Sequence, residues 1–323
     1  MELSSLLTKL IAHEDLTDFE ATFAVEQIAS GKATENPVAI GVLLALLAAK
    51  GESPTEVAAF AKHMRSESIH VHVPSGRPTL DIVGTGGDGA NTVNLSTAAA
   101  VLAASCGAIV AKHGNRSVSS RSGSADVLEE LGVPMLQPNQ VTLCLEKAQI
   151  AFMYAPHFHP AMRFVAPVRK ALGIRSVFNI LGPLLNPAGF VHCAGLDELN
   201  SIGPADVVEV RSDTEEPFRR YELRPEDVGV PAVTLEQLRG GDAAENAAEN
   251  AAILRKTLSG GAASESPIGN TIAYNAGAGL YVYGLADSIK SGYEMAKKQL
   301  LSGEALTTLD NWAHVAQQLN TQS

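Results

Sequence analysis

The chain has 323 residues, of which 46% are hydrophobic and 18% charged, a composition typical of a soluble globular protein. This length exceeds what a single hydrophobic core usually supports, so we expect two domains. The formal net charge of −11 argues against a nucleic acid or an anionic membrane as partner, so a polyanionic ligand would have to be met by local cations.

The cysteines and the apolar runs predict the cellular compartment of the protein and whether it spans a membrane. Cys106, Cys144 and Cys193 are scattered and lack CxxC spacing, which predicts a reduced, cytoplasmic protein with unpaired thiols. The longest apolar run, residues 38–49, is too short to span a bilayer and indicates a buried helix. We therefore expect no membrane partner.

Residues 1–72 are predicted to form a small all-helical domain. Thr17 with Glu20 and Ser53 with Glu56 have the spacing of capping boxes, and Asn36 directly precedes a proline, which is typical of a helix start. A linker with two prolines and a glycine follows and separates this domain from the rest of the chain.

A glycine-rich turn opens the second domain. The apolar run 80–83 leads into GTGGDG at 84–89, which predicts a strand feeding a tight turn. Small polar residues and an alanine-rich helix, 98–106, come next, and the N-terminus of this helix would offer unpaired N–H groups to an anion. Alone the turn is a weak signal, because it lacks both the Gly-Lys-Ser/Thr of a P-loop and the GxGxxG spacing of a dinucleotide site. A tight turn without a ligand is the alternative.

A second polar loop is more specific. After a predicted strand at 108–111, the segment KHGNRSVSSRSGS at 112–124 carries three cations and five serines. Two such loops after successive parallel strands would lie side by side at the carboxyl edge of the sheet, where open α/β folds bind ligands. The predicted ligand is polyanionic, and a solvated basic loop is the alternative.

The remaining elements define the predicted fold class. Strands and helices alternate after residue 73, which predicts a larger α/β domain over 73–323 with a mostly parallel central sheet flanked by helices. The predicted elements are helices at 127–131, 140–147 and 159–172, a strand at 150–154, a hairpin of 207–210 with 218–223, and helices at 242–260, 272–283 and 287–301.

The two loops resemble a known family when they are taken with the segment FMYAPHFHPAMRFVAPVRKALGIRSVFNILGPLLNPA at 152–188. They closely resemble the anthranilate phosphoribosyltransferases, which join anthranilate to phosphoribosyl pyrophosphate in tryptophan biosynthesis. The resemblance covers most of the chain. It implies a pentosyl glycosyltransferase that is a homodimer, with a helical segment near 157–173 completing the helical domain.

Two alternatives stay open. Class II nucleoside phosphorylases share the glycine turn and the architecture, although their second loop differs, so a pyrimidine nucleoside phosphorylase is one alternative. The other is a non-catalytic binding protein of the same fold.

The resemblance also implies site residues. The positions expected to hold phosphoribosyl pyrophosphate are Gly84, Gly87, Asp88, Thr92, Asn94, Leu95, Ser96, Thr97, Lys112, His113, Gly114, Asn115, Arg116, Ser117, Val118, Ser119, Ser120 and Ser124. Anthranilate is expected at Gly84, Asn115 and Arg169, whose guanidinium matches the carboxylate of anthranilate. No catalytic acid or base is expected, because the aromatic amine is already neutral and nucleophilic.

The metal expected from the resemblance is Mg²⁺, two ions per subunit, with Ser96, Asp197 and Glu198 as ligands. On an extended strand, the adjacent carboxylates of Asp197 and Glu198 would point in opposite directions, one into solvent and one to a turn. At a strand end both can face a site, and Mg²⁺ prefers carboxylate, water and phosphate oxygens.

The chain departs from the family pattern after Ala188. At this point, members of the family carry about thirty further residues, the size of a strand with its crossover helix. This chain has no counterpart of them between Ala188 and the strand before Asp197. A smaller sheet and a segment missing from the recorded sequence are both consistent with this departure.

Overall fold

The computed structural model describes residues 1–71, 73, 77–84, 92–116, 122–185, 191–193, 198–210, 217–239 and 246–321. It divides into two compact units. The helical unit comprises Met1–His70 and Ala155–Asn186, and the α/β unit comprises Val71–Tyr154 and Pro187–Ser323.

The helices and strands are named in chain order. The helices are α1 (Leu3–Ile11), α2 (Asp18–Ala29), α3 (Pro37–Lys50), α4 (Pro54–Ser66), α5 (Leu95–Ser105), α6 (Ser124–Glu130), α7 (Pro138–Ala148), α8 (Ala155–Phe158), α9 (Met162–Leu172), α10 (Val177–Leu184), α11 (Pro225–Val228), α12 (Leu235–Leu238), α13 (Ala247–Leu258), α14 (Pro267–Tyr283), α15 (Ile289–Ser302) and α16 (Glu304–Asn320). The strands are β1 (Val110–Gly114), β2 (Ile150–Tyr154), β3 (Val191–Cys193), β4 (Ala205–Val210) and β5 (Phe218–Leu223). No helix in the described part of the chain is both long enough and apolar enough to cross a membrane.

Local capping contacts start the helices of the helical unit, as the sequence predicts. The hydroxyl of Thr17 accepts from the N–H of Glu20, whose carboxylate accepts from the N–H of Thr17 at 2.8 Å. Ser53 and Glu56 form the same reciprocal pair at the start of α4. The Oδ1 atom of Asn36 accepts from the third residue of α3 at 3.1 Å. These contacts satisfy N–H groups that a helix leaves unpaired at its first turn.

The core of the helical unit is built from two separate parts of the chain. Leu43, Leu44 and Phe60 from the first part pack in one cluster with Val165 and Phe178 from the second. The rings of Phe60 and Phe178 meet edge to face with centroids 6.0 Å apart. In this second part, the helix predicted over 159–172 is present as α9, which begins three residues later, at Met162.

A parallel sheet carries the first part of the α/β unit. Strands β1 and β2 pair in parallel, with Val110 opposite Ile150. The strand predicted over 80–83 is reduced to one parallel bridge, from Leu80 to Val110. Beyond Leu80, the Ile82 carbonyl accepts from the side chain of Lys112, as described below. Helix α5 packs on β1 and is almost completely buried.

A separate antiparallel sheet follows in the chain. The predicted hairpin is present as β4 and β5, and β3 pairs with the other edge of β4. The described strands thus form a parallel sheet and an antiparallel sheet rather than one continuous sheet.

The last helices pack closely because two of their residues lack side chains. A Cβ at Gly277 on α14 would lie 2.4 Å from the backbone nitrogen of Tyr293 on α15. A Cβ at Gly292 would lie 2.2 Å from the carbonyl oxygen of Gly277. Both distances are far below a normal contact, so α14 and α15 touch backbone to backbone at this crossing.

Candidate active site

Lys112 lies at the centre of the candidate site. Its side chain, on β1, is 2% exposed, and its Nζ atom donates to the Ile82 carbonyl at 2.6 Å and to the Ser96 hydroxyl at 3.5 Å. Burial lowers the pKa of the Lys112 ammonium, while the negative charges of Asp81 and Glu198 act in the opposite direction. A cation is therefore held in the interior beside the first turn of α5.

Ser96 and Glu198 meet at this same turn. The Oε1 atom of Glu198 accepts from the backbone N–H of Ser96 at 3.2 Å, although the two residues are 102 positions apart. Their hydroxyl and carboxylate oxygens are donors that suit a hard divalent cation. Within the described ranges, no group of three or more His, Cys, Asp or Glu side chains is placed to hold a metal ion.

Asn94 precedes α5 and belongs to a buried polar network. Its Oδ1 atom accepts from Asn250 Nδ2 at 2.7 Å and from the Ser122 hydroxyl at 3.2 Å. Asn250 Nδ2 also donates to Ser122 Oγ at 3.1 Å, and Asn250 Oδ1 accepts from the N–H of Asn94 at 3.3 Å. The network joins the glycine turn side of the site to the end of the serine-rich loop. The sequence predicted a helix at 242–260 but did not single out Asn250.

A small cavity of about 60 Å³ opens next to Ser96 and Glu198. Asp81 and Asn275 contribute its buried polar lining. Asp81 Oδ1 accepts from the backbone N–H of His113 at 3.1 Å, and Asn275 Nδ2 donates to the carbonyl of Leu199. Neither Asp81 nor Asn275 was predicted, because each lies within an apolar segment whose pattern indicates core.

The start of the serine-rich loop is tied to α6. The Arg116 guanidinium pairs with Glu129 at 2.7 Å and with Asp126 at 2.9 Å, and it lies over the ring of Tyr154. These carboxylates, Glu129 first, raise the pKa of Arg116. Asn115 is exposed, and its carbonyl accepts from the Ser124 hydroxyl at 3.2 Å. Any phosphate that Arg116 binds would compete with these two carboxylates.

Gly114 is where the loop leaves β1. A Cβ there would lie 2.3 Å from Ser124 Oγ and 2.8 Å from the ring of Phe152. Glycine is thus required by the close approach of its neighbours.

Arg169 belongs to the helical unit, on α9. Its Nη2 atom donates to Asn179 Oδ1 at 3.4 Å, and its guanidinium lies 5.5 Å from the ring centroid of Phe178. Burial lowers the pKa of Arg169. Among the described residues, the structure gives this guanidinium no carboxylate partner.

The other predicted residues divide into two groups. Gly84, Thr92, Leu95 and Thr97 are described, and the buried Thr97 Oγ1 has no hydrogen-bond partner within the described part of the chain. The rest lie outside the described residues: Gly87, Asp88, Ser117, Val118, Ser119, Ser120 and Asp197.

Comparison with known proteins extends these observations. Residues 4–68 match the model "Glycosyl transferase family, helical bundle domain", and residues 76–192 and 188–306 match "Glycosyl transferase family, a/b domain". Curated anthranilate phosphoribosyltransferases of Thermomicrobium roseum and Chlamydia felis are 42% and 37% identical, covering 95% and 98% of this chain and 95% and 97% of theirs.

Solved structures of anthranilate phosphoribosyltransferases have the same fold as this chain. The anthranilate phosphoribosyltransferase of Thermus thermophilus has a TM-score of 0.85 at 41% identity, covering 96% of this chain and 99% of that one. The Saccharomyces cerevisiae enzyme, in complex with PRPP and Mg, has a TM-score of 0.84 at 26% identity, covering 98% of each chain.

The alignments also locate the break that the sequence predicts after Ala188. The two stretches matched by the α/β-domain model overlap at 188–192. The alignment to the Chlamydia felis protein runs over 349 positions, 26 more than this chain has residues. The relatives therefore carry a segment that this chain lacks. With near-complete coverage at about 40% identity, both domain models and the same fold, the chain belongs to the anthranilate phosphoribosyltransferase family.

Proposed function

We propose that this chain transfers the phosphoribosyl group of phosphoribosyl pyrophosphate to the amine of anthranilate, with release of pyrophosphate, in tryptophan biosynthesis. The observation that carries the proposal is the meeting of Lys112, Ser96 and Glu198 at the first turn of α5, in a chain of this family. A buried cation and a helix N-terminus together favour a bound polyanion.

The reaction requires electrostatic stabilisation more than proton transfer. Breaking the bond between ribose C1 and pyrophosphate builds positive charge on the sugar and negative charge on the leaving group. Lys112 is placed to offset the negative charge from a site where water is excluded, which strengthens the interaction. The amine of anthranilate attacks C1 as a neutral nucleophile, so positioning replaces a catalytic base.

Magnesium is part of this proposal. Ser96 and Glu198, with Asp197 as the neighbouring carboxylate, would supply the protein ligands, and we propose two ions per subunit. The donor chemistry supports this assignment, because hydroxyl and carboxylate oxygens suit Mg²⁺. Bound Mg²⁺ would neutralise charge on the pyrophosphate group.

Anthranilate is assigned to Arg169, Asn115 and Gly84. The support from Arg169 is chemical: a half-buried guanidinium without a carboxylate partner among the described residues can pair with the carboxylate of a substrate. Asn115 is exposed and can reach a ligand without losing a buried contact.

We also propose that the protein is a cytoplasmic homodimer. Free Cys106 and Cys144 support a reducing compartment. Phe19 and Val38, which are 71% and 76% exposed on the helical unit, are apolar side chains that a second subunit could cover. Light scattering of the purified protein measures the subunit number directly.

The deciding experiment follows anthranilate fluorescence with and without phosphoribosyl pyrophosphate and Mg²⁺. Consumption that requires both is the expected result. Phosphorolysis of thymidine or uridine without anthranilate turnover would establish a nucleoside phosphorylase. A thermal shift with phosphoribosyl pyrophosphate but no product would indicate a binding protein. Intact-mass measurement of the natural protein tests whether the segment absent after Ala188 is absent from the molecule.

A further inference from the structure

Asn250 is a buried amide that bridges two segments assigned to the substrate. It lies on α13 and is 2% exposed. Its Nδ2 group donates to Asn94 Oδ1 at 2.7 Å and to Ser122 Oγ at 3.1 Å, and its Oδ1 atom accepts from the Asn94 N–H at 3.3 Å. Both hydrogens and the oxygen of this amide are therefore used.

The consequence is visible at Asn94, which occupies the N-cap position of α5 without capping it. The Asn94 side chain makes no cap hydrogen bond to the helix. By contrast, Asn36 and Asn246 cap α3 and α13 in the usual way, with Oδ1 accepting from Ala39 and Glu249 at 3.1 and 3.0 Å. An asparagine at this position normally accepts from the first turn.

The Asn94 side chain is held away from that turn by its other partners. Its Oδ1 atom is occupied by Asn250 and by the Ser122 hydroxyl, and its Nδ2 group donates to the Ser122 carbonyl at 3.4 Å. An amide committed in this way cannot rotate to accept from the N–H groups of α5.

We propose that Asn250 is a positioning residue for phosphoribosyl pyrophosphate: it holds the Asn94 side chain off the first turn of α5 and joins that turn to Ser122, so that a side-chain cap does not take the N–H of Thr97, while the N–H of Ser96 already donates to Glu198. This inference rests on the proposed function. Its chemical logic is competition, because a side-chain cap and a phosphate use the same N–H groups.

The first test replaces the donor and retains the shape. In Asn250→Asp, a carboxylate faces Asn94 Oδ1 and cannot donate to it. We expect the dissociation constant for phosphoribosyl pyrophosphate with Mg²⁺, measured by calorimetry, to rise about tenfold, while the KM for anthranilate stays within twofold. Asn246→Asp makes the same change one turn earlier on α13, where aspartate caps equally well, and should leave both values unchanged.

The second test asks whether Asn250 acts through Asn94. In a cycle of Asn250→Ala, Asn94→Ala and the double variant, Asn250→Ala should weaken binding in the wild-type background and have little further effect once Asn94 is alanine. Equal effects in both backgrounds would overturn the proposal, since a general loss of protein stability would weaken binding whether or not Asn94 is present.

Folding is controlled separately. Melting temperatures accompany every variant, and Ser122→Ala removes one hydroxyl of the network if Asn250→Ala does not fold. A well-folded Asn250→Asp and Ser122→Ala that both bind with wild-type affinity would also overturn the proposal. Calorimetry does not require turnover. If the wild-type protein binds phosphoribosyl pyrophosphate but forms no product, the proposed function is refuted, and the effect of Asn250 on binding can still be measured. Absence of wild-type binding would overturn both.

Discussion

The Nζ atom of Lys112 donates a 2.6 Å hydrogen bond to the carbonyl oxygen of Ile82. This bond fixes the ammonium in the interior, where burial lowers its pKa. The lysine is thus oriented before any substrate arrives, which reduces the entropy cost of meeting a phosphate.

Replacing Lys112 by methionine should weaken phosphoribosyl pyrophosphate binding by about tenfold or more, because a charge-assisted contact is lost. Lys297→Met is the matched control. Lys297 is a partly buried lysine of the same unit, bonded to Asn270 Oδ1 at 2.6 Å, and its removal should leave the affinity unchanged. Wild-type affinity in Lys112→Met would give Lys112 a purely structural role.

The lowered pKa of Lys112 also predicts a pH effect on stability. Between the lowered folded value and the ordinary value of 10.5, the unfolded chain binds more protons than the folded one. Stability should therefore rise with pH in that window, and this contribution should be absent from Lys112→Met. Urea unfolding of both proteins at increasing pH measures the difference, which identical pH profiles would contradict.

Arg169→Ala should raise the KM for anthranilate by about 30-fold or more, equivalent to about 2 kcal/mol, with little change for phosphoribosyl pyrophosphate. Arg169 has no carboxylate partner among the described residues, so the variant loses only the 3.4 Å hydrogen bond to Asn179 and the contact with the ring of Phe178, and its melting temperature should fall slightly. Arg163→Ala is the control on the same helix, since Arg163 lies over the ring of Phe164. An unchanged KM for anthranilate would remove Arg169 from the site.

Glu198→Gln should raise the Mg²⁺ concentration for half-maximal activity by about tenfold or more. Glutamine keeps the shape, and its oxygen can still accept from the Ser96 N–H, so the main change is the loss of the negative charge. Glu222→Gln, at an exposed pair with Arg224, should leave the requirement unchanged. The segment missing after Ala188 leads us to expect a high requirement in the wild type as well. Saturation at low Mg²⁺ in both proteins would contradict the metal assignment.

Gly277→Ala should lower the free energy of unfolding by about 1–3 kcal/mol, because the new methyl group would meet the backbone of Tyr293. Gly41→Ala on α3 is the opposite case, since its Cβ would make only ordinary contacts with Val168 and Leu172, at 3.6 and 3.7 Å. It should stabilise by about 0.5–1 kcal/mol. Calorimetric melting of both variants tests the pair, and equal effects would contradict the proposed backbone contact.

The thiols should react slowly in the folded protein. Burial raises the pKa of Cys106 to about 11 and that of Cys144 to about 12. At pH 9, therefore, only about 1 in 100 Cys106 thiols is ionised. In a Cys193→Ser background, labelling by a thiol reagent should be slow until urea is added. Rapid labelling without urea would contradict the burial of Cys144 and the half-buried position of Cys106.

The parts of the fold that depend on residues close together in the sequence could be predicted from it. The cap at Thr17 and the hairpin of β4 and β5 follow from patterns spanning only a few residues, and the structure confirms them. The contacts of the candidate site span the chain instead. Asn250 meets Asn94 across 156 positions, and no local pattern distinguishes its amide from others in the alanine-rich helix. Likewise, the charge of Arg116 indicated a phosphate ligand, and only the fold brings Glu129 against it.

The discontinuity of the helical unit has a consequence for synthesis on the ribosome. Its core takes Val165 and Phe178 from a segment that is translated only after residues 71–154. At about 5–20 residues per second, the interval between residues 71 and 186 lasts roughly 6–23 s. During that time, the apolar faces of α3 and α4 lack the residues of the second segment that cover them in the folded unit. The first helices to leave the ribosome are therefore exposed to chaperones for longer than their early position in the chain would suggest.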